Sequence, residues 1–491
     1  MIFDKEKPFM KNKHIYLLSL IFLVIFIFNP FGTNIFELPK IHFLATFLSI
    51  TAISLVIYFL KKGEITFRYN KTVFILLSLW LLSLILSTIF SIAPDLSFWG
   101  SYMRMQGLFS HLIYLAFFII FLNLLKTEKE QKIILKVLVA FASIVAIHAI
   151  LEQCGLLAFS KQALIEQEFY GRSFSTFGHP NYMGQFLIFP IWIGAYFITT
   201  TKKRKQNLPV ILTILLIIGL LLTKNRASIL GMIIATILLI LFVSKIKIIY
   251  KYLISAGLIA GFTSFILFFA PTFRSFYSRL YIWKGSITAF TENPIIGSGL
   301  ETFQIVFQKF FPEELITLEK ASTIADRAHN EFLDILVMQG IFGFVIFLTI
   351  LTGIFYIIFK NKNKLRKNNL LLFLVFAFIS ILISNFFGFS VTVHYLTLTL
   401  ILAIIVNQTL KFREIKLKKG ILTFFISGII VAVSLLCILN SAKKIYADYK
   451  LLSGINYLYS QEIQKGLLAI DKAATVNPNQ AEIFYKYSDI M

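Results

Sequence analysis

Charge is scarce in this sequence: Asp, Glu, Lys and Arg make up 14% of 491 residues, and only 24 residues are acidic. Soluble domains carry about 25% charged residues, so a water-facing globule is excluded at the outset. Cysteine is scarcer still. Cys154 and Cys437 lack metal-ligand spacing and form at most one pair, which excludes a disulfide framework. There is no GxxxxGK[ST] phosphate loop, which argues against an ATP-driven pump. Without HxxxH, CxxC or a spaced outward carboxylate cluster, no metal and no cofactor is expected.

What is abundant is apolar. The chain is 58% hydrophobic with 54 Phe, and its mean hydropathy is +0.81. Apolar runs of about 20 residues recur along it, each near the length a bilayer requires. They fall at roughly 14–31, 42–60, 72–93, 107–125, 132–151, 182–200, 208–222, 227–243, 252–270, 331–359, 370–388, 391–407 and 420–440.

The formal charge of +23 raises the question of nucleic acid, which the placement of the cations answers. More than half of the 47 Lys and Arg lie in alternate gaps between these runs, including KKGEITFRYNK, TKKRKQN, KNKNKLRK and QTLKFREIKLKK. Short basic loops belong on the cytoplasmic side, so the excess sets topology and no nucleic-acid partner is expected. The N-terminus is expected inside and the C-terminus outside. FNPFGTNIFELPK has no small-residue cleavage site, so the first run is expected to remain as a helix.

The expected fold class is therefore all-α, a polytopic membrane protein with about 12–13 transmembrane helices. Segment 271–330 is expected to be a large outward-facing loop with short helices of its own. Within it, Leu280, Trp283, Ile287 and Phe290 have helical spacing, and Asn293-Pro294 marks a stop. Residues 446–491 form a polar tail whose GINYLYSQ, GLLAIDKAATVNPN and AEIFYKY resemble one tetratricopeptide (TPR) unit. A single such unit needs another surface to cover it, either the membrane domain or a protein partner.

Chemistry-bearing residues gather in the loops assigned to the outer face. Arg172, Arg226 and Arg279 adjoin spans, and arginine offers a planar fork of donors suited to phosphate oxygens. Each also has a plainer reading. Arg226 can snorkel to headgroups, and Arg172 and Arg279 can pair with Glu168 or Glu292. Trp283 either stacks on a sugar face or packs an amphipathic helix.

Among the histidines, His14, His42, His111 and His148 read as span residues, and His179 in FGHPN reads as a turn before a helix. A short outward turn brings His394. His329 stands beside Asn330 where the long segment meets a span, and imidazole is suited to take a proton from a hydroxyl. Nearby Glu331 and Asp334 either orient His329 or solvate the helix start.

Four segments together resemble the O-antigen ligase family, which includes O-antigen ligases, O-antigen polymerases and bacterial protein O-oligosaccharyltransferases. His329-Asn330, nine residues, then GIFG from Gly340 to Gly343 is similar to the family's HN-x9-GxxG pattern. GRSFSTFGHPN, with Arg172, Pro180 and Asn181, resembles its R-x-x-[ST]-x-F-G-[HN]-P-N segment. TKNRASILG resembles T-x-S-R-[GA], with Asn225 where serine is usual, and RLYIWKG…NPIIGSG resembles R-x-x-x-W…P-[IL]-x-G-x-G. The resemblance is strong over roughly 170–345.

The resemblance implies a metal-independent membrane glycosyltransferase. It would move a glycan from an undecaprenyl-diphosphate carrier to an acceptor hydroxyl on a glycan, a lipid or a protein, at the outer face of the bacterial cytoplasmic membrane. His329 would be the base or acceptor-orienting group. Arg226, Arg172 and Arg279 would hold the diphosphate, with Asn330 and Trp283 contributing to substrate binding. Gly340 and Gly343 are expected to let a neighbouring helix approach closely. The implied organisation is N-terminal helices over 1–151, a catalytic region over 152–410, a last span over 411–445 and the TPR-like tail over 446–491. The alternatives are a transporter or flippase for a lipid-linked or anionic solute, and a scaffold that works through its repeat.

Overall fold

The structure is a computed structural model that describes residues 20–156, 171–245, 247, 249, 257, 274–318 and 325–478. In chain order the main elements are α1 (Glu37–Lys62), β1 (Glu64–Tyr69), α2 (Lys71–Ile89), α3 (Leu108–Leu124), α4 (Glu128–Gln153), α5 (Pro180–Thr200), α6 (Asn207–Leu222), α7 (Arg226–Val243), α8 (Arg274–Phe290), α9 (Glu331–Lys360), α10 (Asn369–Asn385), α11 (Thr392–Thr409), β2 (Arg413–Lys418), α12 (Ile421–Tyr459) and α13 (Ile463–Val476). Short helices at Phe303–Phe307 and Glu314–Leu318 lie between α8 and α9.

Among the described residues, eight helices are long and apolar enough to cross a membrane, and three shorter ones are also apolar. Each coincides with an expected span, and the protein is an all-α multi-pass membrane protein. Local sequence sets many of the boundaries. Thr127 and Glu130 form a reciprocal cap on α4, Gly63 at φ 83° ends α1, and α5 opens on Pro180 in its first turn.

The first expected span differs. Its described part is a 3-10 helix at Leu20–Ile25 followed by non-helical chain, so no α-helix runs through to residue 31. The expected span 252–270 lies outside the described residues apart from Gly257. The last span is longer than its apolar stretch: α12 continues without a break to Tyr459. It then turns at Gln461 and packs against α13 around Leu451, Ile470 and Ala473. The third TPR-like element, AEIFYKY, lies outside the described residues.

The sequence reading missed a two-stranded antiparallel sheet. β1 pairs with β2 from Glu64↔Lys418 to Tyr69↔Arg413. Both strands lie in loops that hydropathy marks only as basic, and the alternation in ITFRY and EIKLK was the available signal.

The chain divides into two units. Unit 1 holds Met1–Ile75, Trp99–Lys224 and Val391–Met491, and unit 2 holds Leu76–Phe98 and Asn225–Ser390. In unit 1, α12 packs on α1, α6 on α4 and α5, and α11 on α3. In unit 2, α7 packs on α10 and α8 on α9. A β-carbon at Gly231 of α7 would lie 2.5 Å from the Ser380 carbonyl of α10, and the Ser228 and Ser384 hydroxyls are 3.2 Å apart. Small residues thus allow these two backbones to meet closely.

Candidate functional site

The HN segment of unit 2 is built as a clamped turn. Asn330 caps α9, its side-chain oxygen accepting from the amides of Phe332 and Leu333. His329 just before it takes φ 50°, a left-handed conformation uncommon for a side-chain-bearing residue. Neighbouring contacts hold that strain. Trp283 Nε1 donates to the Ala328 carbonyl at 3.0 Å, and the Ala328 amide donates to Asp334 at 2.8 Å. Trp283 therefore meets the histidine turn from α8, as a hydrogen-bonding tryptophan in its amphipathic helix.

Arg327 anchors the same turn from within the protein. It forms an ion pair with Glu301, and both side chains are buried. Its Nη1 lies 3.5 Å from Met338 Sδ, an atom that also accepts from the Glu301 amide. The Phe389 ring is 5.5 Å from the His329 ring and 5.8 Å from the Arg327 guanidinium. Glu331 accepts from the Ser390 amide at 2.7 Å and so ties the start of α9 to the turn after α10. Glu331 and Asp334 are both buried, so their role is to hold polar groups of the turn and not to solvate a helix end.

The GxxG element does something its spacing did not suggest. Gly340 has φ 63° and ψ −170°, which breaks α9 into two helical stretches. In an unbroken helix, the Ile341 and Phe342 amides would donate to the Val337 and Met338 carbonyls. Here those amides donate to Pro294 and Ile295, and the two carbonyls accept from Ser298 and Gly299. Segment 294–299 therefore replaces the hydrogen bonds that the break removes, so these backbone groups stay paired. The close approach at Gly340 is by this loop: a β-carbon there would lie 2.4 Å from the Ile295 carbonyl. One at Gly343 would meet its own helix at Gln339. Ser87 adds a bond to the Met338 carbonyl, and Ser97 one to the Leu300 carbonyl.

The remaining candidates of unit 2 stand on other helices. Arg226 is exposed at the first position of α7, where Asn225 caps the helix by accepting from the Ser228 amide. Asparagine thus supplies the cap that a serine would give. Arg279 is half-buried on α8, one turn before Trp283 and on the same helix face.

Arg172 lies in unit 1. Its Nε donates to the Thr223 carbonyl at 2.9 Å and its Nη2 to Asn181 at 2.7 Å, so the FGHPN and TKN segments are joined by one guanidinium. His179 accepts from the Asn181 amide and caps α5. Glu152 accepts from the Phe174 and Ser175 amides, and fully buried Lys40 donates to the Thr176 carbonyl. His394 is engaged at both ring nitrogens, with the Val391 amide and the Tyr182 carbonyl.

Sequence reasoning missed Lys40, Glu152 and Glu301, and it noticed Arg327 beside His329 without giving it a role. Of the six non-glycine residues with positive φ among the described residues, Ser175, Lys224, Glu301 and His329 fall in or beside the four motif segments. Such strain gathers where surrounding structure over-determines the backbone. Among the described residues, no three His, Cys, Asp or Glu side chains come together as a metal set.

These features define a multi-pass membrane protein whose polar chemistry is concentrated at helix starts and in the loops that hold them. The family model described as O-Antigen ligase matches residues 211–348, which include Arg226, Arg279, Trp283, His329, Asn330, Gly340 and Gly343. Over that stretch the chain is similar to the O-antigen ligase family, the family that its motifs resemble. It is also 26% identical over 192 residues to a Rickettsia felis protein described as a "Putative polysaccharide ligase". That match covers 36% of this chain and 45% of the relative, so the chain spans about half of that relative's length.

Proposed function

We propose that this protein is a membrane glycosyltransferase of the ligase or polymerase type. It takes a glycan from an undecaprenyl-diphosphate carrier at the outer face of the bacterial cytoplasmic membrane and passes it to an acceptor hydroxyl on a glycan, a lipid or a protein. The observation that carries this reading is the His329 turn, where contacts from Trp283, Asp334 and the Arg327–Glu301 pair hold a half-buried imidazole in a left-handed conformation.

In this mechanism His329 accepts the proton of the acceptor hydroxyl as its oxygen bonds to the anomeric carbon. The bond from that carbon to the diphosphate oxygen breaks, and undecaprenyl diphosphate leaves. Arg226 and Arg279 hold the charge that develops on the leaving group. Guanidinium groups in this role make a metal unnecessary. Asn330 keeps the start of α9 in register, and Trp283 fixes the turn while presenting its ring beside it.

The basic loops, the sheet and the N-terminus lie inside, with the motif loops and the helical tail outside. The α12–α13 pair is the beginning of a TPR-like unit that offers a protein partner a surface. The experiment that tests the function is mass analysis of surface glycans and glycoproteins in a deletion strain. Loss of one class of ligated, polymerised or protein-linked glycan, restored by the intact gene, is expected. A strain with unchanged glycans and a lost transport activity would replace this reading with a transporter.

A further inference from the structure

We infer that the β1–β2 sheet is a docking surface for the anionic phospholipid of the leaflet beside it. The inference goes beyond the transferase reading and uses none of its site residues; it does take the side of the membrane proposed above for the basic loops.

The sheet has two unlike faces. Ile65 pairs with Leu417 and Phe67 with Ile415, which puts four apolar side chains on one face. Glu64, Thr66 and Arg68 pair with Lys418, Lys416 and Glu414 on the other. That second face is turned to the helix ends: Arg68 Nη1 donates to Asn407 of α11 at 3.0 Å, over the Phe412 ring at 4.6 Å. The apolar face also carries Tyr69 and Arg413, with the Tyr69 ring 6.0 Å from Phe74 of α2, while Ile415 is 45% and Leu417 41% exposed. An isolated two-stranded sheet is marginal in water, and every residue of β2 is exposed. The sheet therefore needs a surface to lie on.

Chain connectivity says which surface. Only Gly63 separates β1 from α1 and only Asn70 separates it from α2, while residues 410–412 and 419–420 join β2 to α11 and α12. All four helices are long and apolar enough to span a membrane. At about 3.5 Å of reach per residue, the sheet cannot leave the headgroup zone. Exposed Lys61, Lys62, Lys71, Lys411, Lys416 and Lys419 surround it there. Apolar side chains at the acyl boundary with lysines among anionic headgroups match the chemistry of an interfacial lipid-binding element.

The test is native mass spectrometry of the detergent-purified full chain offered equal phosphatidylglycerol and phosphatidylcholine with matched acyl chains. Each lysine near an anionic surface is worth about fivefold in affinity. The wild type should thus retain phosphatidylglycerol over phosphatidylcholine by roughly tenfold or more, and a Lys411→Gln, Lys416→Gln, Lys419→Gln variant should fall toward parity. An Ile415→Asn, Leu417→Asn variant should retain less of both lipids. No preference in the wild type, or a preference that survives the lysine variant, overturns the proposal. Neither result bears on glycan transfer, so failure of one reading is distinguishable from failure of the other.

Discussion

Gly340→Ala should lower the stability of the protein by about 2–6 kcal/mol, the sum of a backbone term and an overpacking term. The backbone of Gly340, at φ 63° and ψ −170°, is in a region open in practice only to glycine. A β-carbon would also lie 2.4 Å from the Ile295 carbonyl oxygen and 2.6 Å from the Gly297 amide nitrogen. Both neighbours are backbone, and both belong to the loop that satisfies the broken helix, so neither can move without giving up hydrogen bonds. Gly353 on the same helix is the control, because a β-carbon there finds nothing nearer than Leu76 Cδ1 at 3.7 Å. Thermal unfolding in detergent should show a large loss for Gly340→Ala and little change for Gly353→Ala. Equal melting of the two variants would refute the broken-helix account.

Arg327→Met should be nearly as damaging, for an electrostatic reason. It leaves the Glu301 carboxylate buried without its cation, a change that typically costs about 3–5 kcal/mol. Glu301→Gln should destabilise by a comparable route, and the double variant should recover much of the loss because no charge is then stranded. The check is a double-mutant cycle on melting in detergent. Strictly additive losses would show that the two side chains do not act on each other. Because the pair holds the turn next to His329, transfer should fall in the singles even at temperatures where they remain folded.

The helical part of this fold was legible because membrane spans carry their signal in composition, and α1 to α7 and α9 to α12 all sit on expected apolar runs. The sheet was not, because six-residue strands inside basic loops look like topology markers until the partner strand, far away in sequence, is known. The HN and GxxG motifs could be found by spacing, but their relation could not. Only the folded structure shows that Gly340 ends a helical stretch and that NPIIGSG completes it. The arginines are the opposite case. Residue type named Arg172, Arg226 and Arg279 as anion binders, yet it gave no role to Arg327, two residues before the histidine, which forms a buried ion pair with Glu301. Sequence shows it beside His329 but not that Glu301 meets it.

The most direct test of the central claim is transfer by purified protein from an undecaprenyl-diphosphate-linked glycan to an acceptor hydroxyl, comparing the wild type with His329→Asn. Asparagine tolerates the left-handed backbone of this position, so the turn is kept while the base is removed. Release of undecaprenyl diphosphate should fall by about 10²–10⁴-fold, the usual contribution of a positioned base, with melting unchanged. Turnover by His329→Asn within twofold of the wild type would contradict the account.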